Sequence, residues 1–295
     1  ADLQERASKR NRDVVARVNA YLDPVKLDYD QDVMPLAPAG NPTERHIVLA
    51  YAEAVEREVQ NPVEFWSRKL DLSADEVAKV IHDAAKFQNL VRQKLMKRGG
   101  VGYVQPDSGS FPSVEAVNDL TLACGALPCA AWLDGTSTGE QAMGELLQLL
   151  ISKGAAALNI VPDRNWNIAD AETKKLKLGK LYEIVQLAQE LDLPLNIGTE
   201  MNSFGQKLVD DFDAPELEPV RQAFMDGAMF IYGHTVLQRE CGMGYQSEWA
   251  QTQLPTRRER NTFYTRVGYL VPGGEIRVAL EPTMSASEVL GKLEN

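Results

Sequence analysis

Residues 156–202 read AALNIVPDRNWNIADAETKKLKLGKLYEIVQLAQELDLPLNIGTEMN, and this stretch decides the fold class. At its two ends, Ala156–Val161 and Leu193–Ile197 are short apolar runs of strand length. Between them, Ala171–Leu191 spaces its apolar residues as an amphipathic helix does. Strand, helix and strand in that order form a parallel βαβ unit, whose strands are buried on both faces and so read as nearly unbroken apolar runs. The alternation continues outward. Val101–Val104, Leu127–Leu133 and Ala228–Tyr232 predict further strands, and Ser113–Cys124, Gly139–Lys153 and Pro215–Asp226 predict the helices between. One more strand-like run, Glu275–Leu280, and a short helix opening near Ser285 or Ser287 close the chain. The expectation is an α/β protein of parallel βα units. Five successive strands are too few to close a barrel, so either the sheet is open or strands upstream of Ala1 are absent from this chain.

Before Gly99 the pattern is helical throughout. Leu3, Val14, Val15 and Val18 share one face of a first helix that ends near Asp23-Pro24. Asn41-Pro42-Thr43-Glu44 opens a second, with Pro42 in the first turn, where its missing N–H costs nothing. Ser73-Ala74-Asp75-Glu76 has the form of a capping box, and Gly99-Gly100 ends the helical stretch from Ala84 to Lys97. The chain thus divides into a helical segment at 1–98 (an insertion or lid), an α/β portion at 99–272, and a C-terminal strand and helix at 273–295.

The 295 residues are 44% hydrophobic and 25% charged, as in ordinary globular proteins, and the chain is long enough to bury a sizeable core. No apolar run approaches the ~20 residues that span a bilayer, and no signal peptide is visible, so a soluble protein without a membrane partner is expected. The chain opens on Ala1 within an amphipathic charged stretch, which reads as a processed or truncated end. A net charge of −11 argues against a nucleic-acid partner. Basic clusters such as Arg92 to Arg98 and Arg257 to Arg260 read as solvated helix faces. The three cysteines, Cys124, Cys129 and Cys241, lack metal-binding spacing and read as free thiols in a reducing cytoplasm.

In parallel α/β folds ligands bind beyond the carboxyl ends of the strands. The residues that follow the expected strands include Asp134, Asp163-Arg164, Glu200 with Asn202, and His234. Carboxylates and one imidazole suit a divalent cation such as Mn²⁺, Zn²⁺ or Mg²⁺, with Glu200, Asp134 and His234 as ligands. The same groups can do acid–base work without metal, with Asp134, Asp163 and His234 moving protons. Arg164, Asn202 and Arg239 are the candidates for binding a small anionic substrate. Each residue also has a structural reading: Asp134-Gly135 makes a plausible turn, and an Asp after a strand often caps the next helix. His46 and His82 lie on helical patterns and read as structural. The polar connection from Ser203 through Asp210-Asp211-Phe212-Asp213 sits where substrate-covering loops occur.

Three stretches resemble the polymerase-and-histidinol-phosphatase (PHP) superfamily. Gly40-Asn41-Pro42-Thr43-Glu44-Arg45-His46-Ile47 is similar to a helix start of that family. Phe111-Pro112-Ser113-Val114-Glu115-Ala116-Val117, followed by Cys124-Gly125-Ala126-Leu127-Pro128, resembles its helix leading into a strand. Leu195-Asn196-Ile197-Gly198-Thr199-Glu200-Met201-Asn202 resembles its late metal-bearing strand. The resemblance implies a distorted (β/α)7 TIM-like barrel lacking its first strands, and a metal-dependent hydrolase for a small anionic substrate such as a phosphate ester. The departures are specific. Ala131-Trp132-Leu133 stands where the family has Ala-His-Pro, and Thr199-Glu200-Met201-Asn202 where it has Ser-Asp-x-His. No His-x-His occurs, and with three histidines in all the usual trinuclear site cannot be built from this chain. Two other readings stand beside it: a binding or regulatory protein without catalysis, and a carbohydrate isomerase or hydrolase using paired carboxylates, with Trp132 and Trp166 stacking on a sugar.

Overall fold

The computed structural model describes residues 2–107, 109–201, 207–271, 273 and 276–294. The chain forms two compact units, Ala1–Pro112 and Ser113–Asn295. The first is helical: α1 (Asp2–Leu22), α2 (Glu44–Glu58), α3 (Pro62–Leu70), α4 (Ala74–Val80) and α5 (Ala84–Leu95). Its core gathers Val14, Val18, Leu22, Ile47, Tyr51 and Trp66 among others, all but out of contact with water. Two polar side chains inside it are tied down, while the buried Tyr29 hydroxyl has no hydrogen-bond partner among the described residues. The Tyr51 hydroxyl donates to Asn19 Oδ1 at 2.7 Å, and buried Asn11 donates from Nδ2 to the Pro42 carbonyl at 2.7 Å. Ser73 and Glu76 cap α4 reciprocally as expected. At α2 the cap is Thr43, so Pro42 precedes the helix rather than lying in its first turn. The imidazole of His46 completes a box there, its Nδ1 accepting from the Thr43 amide at 2.9 Å.

The second unit runs α6 (Val114–Ala123), β1 (Cys129–Ala131), α7 (Met143–Ser152), β2 (Ala157–Ile160), α8 (Asp163–Trp166), α9 (Ala171–Glu190), β3 (Leu195–Ile197), α10 (Arg221–Cys241), α11 (Glu248–Gln253), α12 (Arg257–Leu270) and α13 (Ala286–Leu293). The three strands form one parallel sheet in the order β1-β2-β3, with Ala131 opposite Asn159 and Asn159 opposite Asn196. Strand residues alternate between faces. Ala130, Trp132, Leu158, Ile160 and Leu195 pack against Leu147 of α7 and Leu181, Ile184 and Ala188 of α9. The opposite face carries Cys129, Ala131, Asn159 and Asn196, which are small or polar.

The barrel expected from the family resemblance is not formed. Among the described residues the sheet has three strands and is open. Residues 228–232, read as a strand, lie inside the 21-residue helix α10. An apolar run this short fits either element when read alone, and the wider spacing of Phe224, Phe230, His234 and Leu237 is that of one buried helical face. Gly233, which looked like a strand end, is where α12 crosses. A Cβ there would stand 2.0 Å from the Tyr264 carbonyl oxygen, and one on Gly268 would stand 2.1 Å from that of Met229. Residues 101–104 complete the turn after α5, the Gly102 amide donating to the Leu95 carbonyl at 2.7 Å. Residues 276–280 form no strand, and Glu275 lies outside the described residues.

α6 buries none of its residues: Val114, Val117 and Leu120 are 40%, 43% and 56% exposed. The three cysteines are free thiols. No helix among the described residues is long and apolar enough to cross a membrane.

Candidate small-molecule site at the strand ends

β2 stops at Ile160, and Val161-Pro162 leads straight into α8, so Asp163 and Arg164 stand just past the strand at the first turn of that helix. β3 stops at Ile197, and Gly198-Thr199 carries the chain to Glu200. The Arg164 guanidinium meets the Glu200 carboxylate as a fork, Nε donating to Oε2 and Nη2 to Oε1. Such bidentate pairs are the strong ones. The hydrogen bond to Glu200, opposed by burial and helped by Glu200's charge, holds Arg164 above its already high ordinary value.

Around this pair lies a cavity of about 430 Å³ to which Val161, Asp163, Arg164, Glu200, Lys207 and Asp210 contribute. Asp163 Oδ2 accepts from Asn167 Nδ2 at 3.1 Å. Asp210 Oδ2 is buried and has no hydrogen-bond partner among the described residues. Burial pushes the Asp210 carboxyl above the usual carboxylate range; the negative charge of Asp163 adds to the shift, Lys207 opposes it, and Glu200 adds a little more. One cavity thus holds a carboxyl biased towards its protonated form, a second carboxylate close enough to perturb it, and an ion pair. A carboxyl raised above the usual range in a cavity is suited to act as an acid.

Asp134 follows β1 as expected but does not line this cavity. Its Oδ2 accepts from Lys177 Nζ at 2.7 Å, and its Oδ1 from the Thr136 amide at 3.0 Å and hydroxyl at 2.6 Å. Burial alone would raise the carboxyl, yet the bonds from Lys177 and Thr136 outweigh it and hold it below the usual range. Buried Asn165 ties this turn to α8 and α9, donating to the Asp134 carbonyl at 3.3 Å and the Lys177 carbonyl at 2.8 Å. Asp134 is a neutralised turn residue.

His234 and Arg239 lie on α10 and border a different cavity, of about 500 Å³. The imidazole is 6% exposed. Its Nδ1 accepts from the Tyr245 amide at 3.0 Å, which assigns the ring proton to Nε2. Burial pushes it below the ordinary histidine value, against a hydrogen bond with the Gly125 backbone. Arg239 Nε donates to Glu240 Oε1 at 2.7 Å. Asn202 lies outside the described residues.

The metal centre expected from Glu200, Asp134 and His234 is therefore not formed. Among the described residues no group of three or more His, Cys, Asp or Glu side chains stands close enough to hold an ion. The cause is visible in each residue: Glu200 and Asp134 hold cations of the chain itself, and His234 is a tied helix residue. The metal-dependent hydrolase and phosphoesterase reading loses its ligand set with them. Trp132 is 2% exposed in the core, and half-buried Trp166 lies under the Lys174 ammonium, 5.8 Å from the ring centre. Trp132 is closed to a sugar, and the face of Trp166 under Lys174 is taken. The residues that sequence reasoning missed are Asp210 and Lys207. The sequence points to their loop, but Asp210, Asp211 and Asp213 look alike in one dimension, and only burial separates them. No protein-family model matches the chain, and no curated protein or solved structure is similar to it.

Proposed function

We propose that the strand-end cavity is an acid–base site for a small polar molecule carrying an anionic group, such as a sugar acid. Asp210 donates a proton, Asp163 accepts one, Lys207 supplies the positive charge that the anion meets, and Arg164, its charge compensated by Glu200, offers the Nη1 donors that the fork leaves over. The observation that carries this reading is the buried Asp210 oxygen without a hydrogen-bond partner among the described residues, beside Asp163 in one cavity. Perturbed carboxyls of this kind concentrate at functional sites. A reducing, cytoplasmic setting belongs to the same reading and is supported by the free cysteines.

Calorimetric melting with sugar acids, sugar phosphates and neutral sugars tests it. A ligand at a hundred times its Kd stabilises the folded state by about 2.7 kcal/mol, a rise of roughly 5–10 °C for a unit of this size. Anionic members of the panel should give the shift and Arg164→Met should abolish it. Asp210→Asn should keep the shift while removing turnover of the ligand that gives it. If no anionic member moves the transition, the reading fails.

The neutralisation of Asp134 by Lys177 and Glu200 by Arg164 favours one other reading, a binding protein without catalysis. It predicts the same melting shift in wild type and Asp210→Asn, and turnover in neither.

A further inference from the structure

The strands of a parallel sheet are ordinarily Val, Ile and Leu on both sides. Here Asn159 and Asn196 stand opposite one another on β2 and β3, on the face turned away from α7 and α9. Asn196 Nδ2 donates to Asn159 Oδ1 at 2.8 Å. That bond uses one donor of Asn196 and fixes the orientation of its amide. Among the described residues the second N–H and the carbonyl oxygen of Asn196 have no other partner, and they make an adjacent donor and acceptor. Half-buried amide groups on a sheet face cost stability unless such capacity is met.

The second cavity, of about 500 Å³, opens over this face. Cys129 and Asn196 contribute from the sheet, Leu127 from the approach to β1, Ile231 and His234 from α10, and Arg239 from the last turn of that helix. None of these groups brings an uncompensated charge. Arg239 is paired with Glu240, and burial holds His234 towards its neutral form, its Nδ1 accepting from the Tyr245 amide. Burial also pushes the Cys129 thiol up, towards its neutral form. Thr235 and Gln238 of α10 line it as well, and walls that are largely apolar with a few placed polar groups are the usual make-up of a small-molecule site.

We propose that this cavity binds a small uncharged planar molecule presenting a hydrogen-bond donor beside an acceptor, as a cyclic amide or pyrimidine base does. The amide of Asn196 reads that edge bidentately, as asparagine reads adenine in a nucleic-acid groove. Leu127 and Ile231 cover the ring, and Asn159 acts as a positioning residue for Asn196. The site is separate from the carboxyl cavity and does not depend on its chemistry.

The test is an NMR titration of the ¹⁵N-labelled full chain with uracil, following the asparagine side-chain amides and the His234 ring, with benzene as a shape-only control. Saturable shifts at Asn196 and His234 are expected. Asn196→Leu should weaken uracil binding by roughly 10- to 100-fold, because both hydrogen bonds of the bidentate pair are lost. Because Asn196→Leu also breaks the bond to Asn159, a second variant is needed. Thr235→Trp, at an exposed position lining the cavity, should abolish the shifts while leaving the fold intact. Absence of shifts up to the solubility of uracil would overturn the proposal. So would equal binding of benzene, or undiminished uracil binding by Thr235→Trp.

Discussion

Gly233→Ala should destabilise the second unit, although alanine is the better helix former. Gly233 lies where α10 and α12 cross, and the added Cβ would sit 2.0 Å from the Tyr264 carbonyl oxygen and 2.9 Å from the Gly268 amide nitrogen. Both obstacles are backbone, so no side chain can rotate away, and the helices must part by over an ångström to restore ordinary contact. Overpacking of this kind costs about 1–3 kcal/mol or more, and helix propensity returns about 1 kcal/mol. With backbone as the obstacle the upper end applies, leaving a net loss of about 2 kcal/mol. For a unit of this size that lowers Tm by roughly 4–8 °C. Gly179 in α9 is the control: it is exposed and a Cβ there meets nothing within 4 Å. Gly179→Ala should therefore gain about 1 kcal/mol. Urea unfolding followed by circular dichroism measures both. A Gly233→Ala midpoint equal to or above that of wild type would refute the close crossing.

The buried His234 is held below the histidine value of the unfolded chain. Between the two values the unfolded state binds more protons, so the contribution is present above the unfolded pKa of about 6.5 and falls as pH drops below it, by at most about 1.4 kcal/mol per pH unit. Urea midpoints at about pH 7.5 and about pH 5.5 should show this decline, and His234→Gln should remove it; an unchanged decline would assign it to another group. Asp210 has the opposite sign, since its folded value is raised. Its contribution is complete below the unfolded value and is lost as pH rises through the folded one, so Asp210→Asn should be more stable than wild type near pH 7 but not near pH 3, by calorimetry. Ser73→Ala removes the reciprocal cap of α4 and should cost about 1 kcal/mol, read as a fall in melting temperature of roughly 4–8 °C in the first unit.

What was legible in the sequence was local. Three strand readings coincide with β1, β2 and β3, and α6, α7 and α9 fall where their periodicity put them, because each pattern is complete within its own segment. Asp163, Arg164 and Glu200 come together because the ends of neighbouring parallel strands must be close. The failures are all matters of partnership. Lys177, which neutralises Asp134, lies 43 residues further on, across a helix whose rotation no spacing rule specifies. The five apolar residues at 228–232 carry no sign that Gly233 and Gly268 meet and that the whole stretch is one helix. The histidine at a supposed strand end looked like a ligand because its true neighbours, Gly125 and Tyr245, come from other parts of the chain.

The outward-facing Val117 and Leu120 have a practical meaning at the bench. A fluorescent probe of greasy surface such as ANS will find a place on the native protein before anything melts, so dye-monitored denaturation starts from a bright baseline and understates the transition. Ammonium sulfate, by being excluded from such surface, should bring the protein out of solution early, and that side of α6 is where molecules would first adhere to one another.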